Sequence, residues 1–304
     1  LVRPQSGVLL DIQSHLRDAD RDGSFPILHL NGSSKTGLAA PSLSALQDLL
    51  SGRDGMLVVD AAQGRFSRSA LSEVIGRGHV SIVTGSKFFH GPPFSGALLL
   101  HRDLLARIRA ATASPLCSQM WSQAMVGIDF PLTFLNSPAS VNLGVAARWT
   151  AALYHVQRYY EVPSAKRFRI LEAFADQIRE ILATVPWLKN FTPPEQSNDR
   201  LDRVAMSTPS ICTFSVLDRS GSTLSRDQHA AIRNLVMTDS DSHLLAQPVR
   251  LGSEGPWALR AAIGASSVVK YSALGREALQ ADLSKLLDAL NRARSSIMKT
   301  DLSI

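Results

Sequence analysis

Three short clusters hold most of the chemically versatile side chains in the first third of the sequence. They are His29-Leu30-Asn31-Gly32-Ser33-Ser34-Lys35-Thr36-Gly37, Asp60-Ala61-Ala62-Gln63-Gly64 and Thr84-Gly85-Ser86-Lys87. A carboxylate, small hydroxyl residues beside glycines, and a lysine form the set needed to hold a phosphorylated aldehyde that has a basic ring nitrogen. The amine condenses with the aldehyde as a Schiff base. The carboxylate keeps the ring nitrogen protonated so that the ring accepts electrons, while hydroxyls and free N–H groups receive the phosphate.

Each of these residues also has an ordinary reading. A lysine after a strand is most often a surface residue. Asp60 can cap the helix that follows it, Gln63 can be a loop amide, and Thr84 and Ser86 are common turn residues. Three clusters converge on one chemistry only if the elements before them bring them to one place.

The apolar pattern supplies such elements. Strands are expected at Pro26–Leu30, Met56–Val59, His79–Val83 and Ala97–Leu100, with helices at Pro41–Leu50, Ser67–Ile75 and Asp103–Ala111. Strands alternating with helices imply right-handed βαβ units in a mostly parallel sheet with helices on both faces, where ligands sit beyond the carboxyl ends of the strands. The texture changes near Ser137. Two long helices, Ser140–Tyr160 and Ser164–Val185, precede a breaker-rich loop at Thr192–Asp199. A strand at Ile211–Leu217, a helix at Thr223–Val236, strands around Val249 and at Ala258–Ile263, and a last helix at Arg276–Arg294 complete a smaller α+β domain with an antiparallel sheet. The expected organisation is a cofactor-binding large domain over residues 1–136, a connecting long helix over 137–163 and a small C-terminal domain over 164–304.

Composition narrows the class. The chain has 304 residues, 45% hydrophobic and 19% charged, enough to bury a large core, and no apolar run approaches the ~20 residues of a membrane-spanning helix. Lys and Arg number 32 against 26 acidic residues, for a net charge of +6. The basic residues are scattered among acidic ones rather than gathered in a stripe, so nucleic acid is not an expected partner. Cys117 and Cys212 lie far apart, in neither a zinc nor a disulfide spacing; no metal is expected, and a reducing, cytoplasmic setting fits. The opening Leu1-Val2-Arg3-Pro4 is neither a signal peptide nor an obvious transit peptide, and it looks like a cut.

With these elements in place, the sequence resembles the class V aminotransferases of the fold type I pyridoxal phosphate enzymes, the group that includes alanine–glyoxylate aminotransferases and cysteine desulfurases. The resemblance rests on Ser33-Ser34-Lys35-Thr36-Gly37, on Val58-Val59-Asp60-Ala61-Ala62-Gln63, and on Thr84-Gly85-Ser86-Lys87 followed by Gly91-Pro92-Pro93-Phe94-Ser95-Gly96, in the family's order and spacing. It implies pyridoxal 5'-phosphate as cofactor and Lys87 as the Schiff-base lysine. Asp60 would partner the pyridine nitrogen, Gln63 would donate to the phenolic oxygen, and Ala62 would underlie the ring. Thr84 and Ser86 would hold the phosphate, Ser34 would lie near the phenolic oxygen, and His90 would face substrate, although a loop histidine is its ordinary reading.

The same resemblance puts Arg260, in Ala258-Leu259-Arg260, where the family binds the substrate carboxylate. A surface ion pair is the alternative there, and Arg250 on the neighbouring strand is a rival. The family's phosphate-site glycine and stacking aromatic cannot be placed before Pro26, so the large domain looks incomplete at its N-terminal side. The implied activity is aminotransfer between an amino acid and a 2-oxo acid, in a homodimer. A carbon–sulfur lyase of the same family and a truncated, non-catalytic homologue are the alternatives. Persulfide chemistry is not expected, because no cysteine lies between Thr213 and Arg260 and Cys212 falls in an apolar strand.

Overall fold

A computed structural model describes residues 4–32, 41–66, 68–110, 142–191, 210–239 and 244–300. Ser34, Lys35, Cys117 and the Thr192–Asp199 loop lie outside the described residues. The chain divides into two compact units, and the division falls between Val156 and Gln157.

The first unit begins with α1 (Gln5–Asp22), which stops at Gly23, whose φ of 65° is left-handed and whose N–H bonds back to the Ala19 carbonyl. Strand β1 (Ile27–Asn31) follows, then α2 (Leu43–Leu50). Ser42 starts α2 because its hydroxyl accepts the Ala45 N–H at 3.1 Å, and Leu43, Leu46 and Leu50 recur at helical spacing on its buried face. Strand β2 (Met56–Ala61), α3 (Arg68–Gly76) and β3 (Val80–Thr84) continue the alternation. In β2 the buried residues are Leu57, Val59 and Ala61, every second one, so one face of the strand enters the core with Leu16, Leu30 and Val74. Burial of each such Leu is worth about 1.5–3 kcal/mol.

Strands β1, β2 and β3 are parallel, each joined to the next through a helix. The next strand, β4 (Gly96–Leu99), runs antiparallel to β3, and α4 (Arg102–Ala110) follows it. The reversal departs from strict βαβ alternation and has a simple cause. The connection from Gly85 to Ser95 contains no helix, and a chain that returns without a crossover pairs antiparallel.

A long helix, α5 (Leu143–Glu161), contains the division between the units, and α6 (Ser164–Thr184) follows it in the second, behind Pro163. Strands β5 (Leu188–Asn190), β6 (Ile211–Val216), β7 (Leu245–Arg250) and β8 (Trp257–Ala262) form a wholly antiparallel sheet in the order β5-β6-β8-β7. Helix α7 (Arg226–Asp239) packs on β7 and β8, while α8 (Ala265–Leu274) and α9 (Arg276–Thr300) pack on α6. Helix α9 contributes Leu279, Leu283, Leu286 and Leu290, and β6 is buried at all six positions. Among the described residues no helix is long and apolar enough to cross a membrane.

Candidate functional site

The parallel register brings the ends of the first three strands together: Asn31 lies opposite Asp60, and Ala61 opposite Val83. Immediately past those ends come the residues of interest. The Gly32 N–H donates to the Asp60 carbonyl at 2.9 Å. The Asp60 side chain is half-buried, and its Oδ1 accepts the Ala62 N–H at 2.9 Å, folding the chain back just after the strand. The Gly64 N–H closes the turn onto the Ala61 carbonyl. Gly64 itself has φ 73°, and a Cβ there would stand 2.9 Å from Cβ of Phe88, so this position needs glycine for both backbone and space.

Two contacts lock this Asp60 loop to the lysine-bearing turn beside it. Thr84 Oγ1 donates to the Ala62 carbonyl at 2.7 Å, and Gly64 seats against Phe88. Phe88 and Phe89 are both buried and meet edge to face at 5.3 Å, with the Arg65 guanidinium 5.2 Å from the Phe88 ring. The pair of rings anchors the turn from below and leaves the preceding Lys87 exposed. The turn is held by backbone bonds from Gly85 N–H to Ser95 O, from Gly91 N–H to Gly85 O and from His90 N–H to Lys87 O, and by Ser95 Oγ donating to the Pro92 carbonyl. His90 at φ 56° and Phe94 at φ 63° occupy left-handed backbone that side chains rarely adopt. Such strain persists where the surroundings over-determine the conformation, a pattern that clusters at functional sites.

Asp60, Ala62, Gln63, Thr84, Ser86, Lys87 and His90 therefore lie on two interlocked loops at one edge of one sheet. The Thr84 hydroxyl donates its proton to the Ala62 carbonyl. The locking residues Gly64, Phe88 and Phe89 were not among the expected site residues; the adjacent aromatic pair directly after Lys87 is the signal that could have found them.

Arg260 belongs to the second unit and is half-buried, which pulls its pKa below the ordinary value through loss of hydration. Its Nη2 and Nε donate to the Gln247 carbonyl at 3.1 and 3.4 Å. That carbonyl sits in a bulge of β7 between Ala246 and Val249, where Pro248 has no N–H to give to the ladder. The rival Arg250 points elsewhere. Thr213, Arg260 and Ala246 pair across the sheet on one face, whereas Arg250 pairs with Trp257 on the other. Arg250 is also engaged at the β7–β8 turn, 3.6 Å from the Glu254 carboxylate and donating to the Gly255 carbonyl. Cys212 is fully buried in β6. Among the described residues, no three His, Cys, Asp or Glu side chains gather as a metal site.

The sequence matches no family model and no curated protein. Its fold does match solved structures. A tryptophan decarboxylase from Catharanthus roseus is similar with a TM-score of 0.57 at 14% identity, over 95% of this chain and 55% of that one. A cysteine desulfurase from Escherichia coli gives 0.56 at 16% identity, over 88% and 59%, and a ureidoglycine–glyoxylate aminotransferase from Bacillus subtilis gives 0.53 at 14%, over 97% and 70%. The chain thus spans a little more than half the length of the first two. At these identities the likeness is one of fold, and the chain has the fold type I architecture of the pyridoxal phosphate-dependent transferases, as its resemblance in sequence implied.

Proposed function

We propose that this chain is the Schiff-base and carboxylate-binding part of a pyridoxal phosphate enzyme that acts at Cα of an amino acid, with aminotransfer as its reaction. The observation that carries the reading is the interlock of the Asp60 loop with the Lys87 turn at the carboxyl edge of the sheet, through the Thr84–Ala62 bond and the Gly64–Phe88 contact. The donor set fits the group. A half-buried carboxylate, an amide, a hydroxyl and an exposed primary amine lie on adjoining loops, and the Lys87 side chain has no salt-bridge or hydrogen-bond partner among the described residues. When bound, the cofactor supplies an electron sink for the bond broken at Cα.

The rest falls to the chain. Lys87 would hold the cofactor through its amine and would move the proton at Cα. Asp60 would pair with the ring nitrogen, and the bond it accepts from the Ala62 N–H fixes where the carboxylate sits. Gln63 would donate to the phenolic oxygen with Ser34 near it, Ala62 would underlie the ring, and Thr84 and Ser86 would hold the phosphate. Arg260 clamps the substrate carboxylate through its planar fork while the Gln247 carbonyl steadies the guanidinium. His90, on the rim of the turn, faces substrate. The substrates are an amino acid and a 2-oxo acid, and the working unit is a homodimer.

Borohydride reduction of the purified protein with pyridoxal phosphate should leave a pyridoxyl group on Lys87 in a peptide map, and Lys87→Ala should remove it. Labelling at Lys35, or no labelling at all, would overturn the reading. A panel of amino acids then settles the reaction: transfer to a 2-oxo acid supports aminotransfer, whereas release of ammonia, pyruvate or sulfide marks a lyase.

A further inference from the structure

Gly85 and Gly91 flank the lysine turn, yet neither has the positive φ that ordinarily calls for glycine. Space is what they provide. A Cβ on Gly85 would stand 2.4 Å from Cβ of Ala152, and one on Gly91 would stand 2.6 Å from that atom, 2.9 Å from Ala152 Cα and 2.8 Å from the Gly85 carbonyl oxygen. One alanine on α5 thus fits into a notch made by both ends of the turn that carries Lys87. Ala152 is fully buried, whereas Ala151 beside it is exposed and Leu153 is 54% exposed. Two further contacts fasten the same face of α5 to the same loop: Trp149 Nε1 donates to the Gly96 carbonyl at 3.1 Å, and the Arg148 guanidinium lies 6.0 Å from the Phe94 ring.

From this geometry we infer that Ala152 is a positioning residue that fixes the placement of Lys87. The turn is pinned below by Phe88 and Phe89, and Gly85 and Gly91 are joined to each other by the bond from Gly91 N–H to Gly85 O. A larger side chain at 152 meets backbone on both sides of the notch, and neither side can yield without moving Gly85, two residues from Lys87. Ala152 is buried against the backbone of the turn, so its effect passes through the placement of the amine.

The inference deepens the cofactor reading, and its test separates the two. Ala152→Val and Ala151→Val add the same β-branched side chain to the same helix at adjacent positions, so they share the cost in helix propensity and differ only in the notch. In the cofactor-free protein, Ala152→Val should speed amide exchange at Gly85 and Gly91 by about tenfold or more, with Ala151→Val within about twofold of wild type. With pyridoxal phosphate added, Ala152→Val should lower borohydride-trapped label on Lys87 and shift the pH midpoint of the bound cofactor's absorbance, a quantity that simple loss of stability leaves unchanged. Ala152→Ser, with one added atom, should fall between wild type and Val in every readout and replaces Val if that variant does not fold. Exchange and trapping in Ala152→Val and Ala152→Ser equal to those of Ala151→Val would overturn the inference. Absence of label in the wild type would instead overturn the cofactor reading and leave the exchange measurement to decide this one.

Discussion

The two units use polar side chains in opposite ways. In the second, buried polar groups are consumed by structure. His229 is fully buried, its Nε2 accepts the Val216 N–H at 3.1 Å, and its Nδ1 lies 2.9 Å from the Ser225 carbonyl, while the Ser215 hydroxyl donates to the carbonyl of Trp257. In the first unit, Lys87 and His90 are exposed, and the interior beneath them is filled by Phe88 and Phe89. A site whose loops are fixed by backbone bonds, glycines and aromatic anchors leaves the Lys87 amine uncommitted. Arg260 is the exception in the second unit, a candidate functional side chain whose guanidinium donates to the Gln247 carbonyl.

The comparison is broken most severely at that exception. Arg260→Ala should raise KM and lower kcat together, for a combined loss in kcat/KM of about 3 kcal/mol, with Arg260→Lys intermediate because it keeps the charge without the fork. Arg250→Ala should stay near wild type, and steady-state kinetics on the three variants decides between the two arginines. Next in size is His229→Ala, which strands the Val216 N–H and opens a cavity at a cost of about 2–4 kcal/mol in denaturant unfolding.

The same residue sets a pH dependence. Burial lowers the pKa of His229 below its ordinary 6.5, so the folded state holds it neutral while the unfolded chain takes up a proton more readily. Its contribution to stability is complete above pH 6.5 and is lost as pH falls from there toward the folded pKa, by up to about 1.4 kcal/mol per unit. Unfolding curves of His229→Ala should lack that part of the acid slope.

In the first unit the expected effects are smaller. Thr84→Val removes the bond to the Ala62 carbonyl and should cost about 1 kcal/mol in stability, together with a looser Asp60 loop seen in amide exchange. Phe94→Gly should do the reverse. The side chain is 83% exposed and sits at positive φ, so glycine relieves strain and should stabilise by about 0.5–1 kcal/mol in thermal melts.

What could be read from the sequence followed from local signals. Asp60 and Lys87 stood out because apolar runs end there in polar, glycine-bearing turns, and the strands before them appear within a residue or two of their expected places. The last turns of helix α1, rich in Asp and Arg, show no apolar period, and Gly23 ends it. Strand β5 is three residues long and gives no pattern. Helix α8 begins Ala-Ser-Ser-Val-Val, a poor helix sequence, and is held by the burial of Val268 and Tyr271. Ala152 was invisible for another reason: an alanine on a helix carries no local mark, and its importance exists only when two distant glycines approach it.

The β7 bulge has a consequence for how this arginine site tolerates change. Arg260 is steadied by the main-chain oxygen of Gln247, so the side chain at 247 is free to vary, and no residue type there advertises the contact. The constraint sits one position later, on Pro248, where any donor-bearing residue offers the ladder the hydrogen it now lacks and invites the strand to slide into register. The informative position is Pro248, an imino acid that acts on the site through the register of the strand.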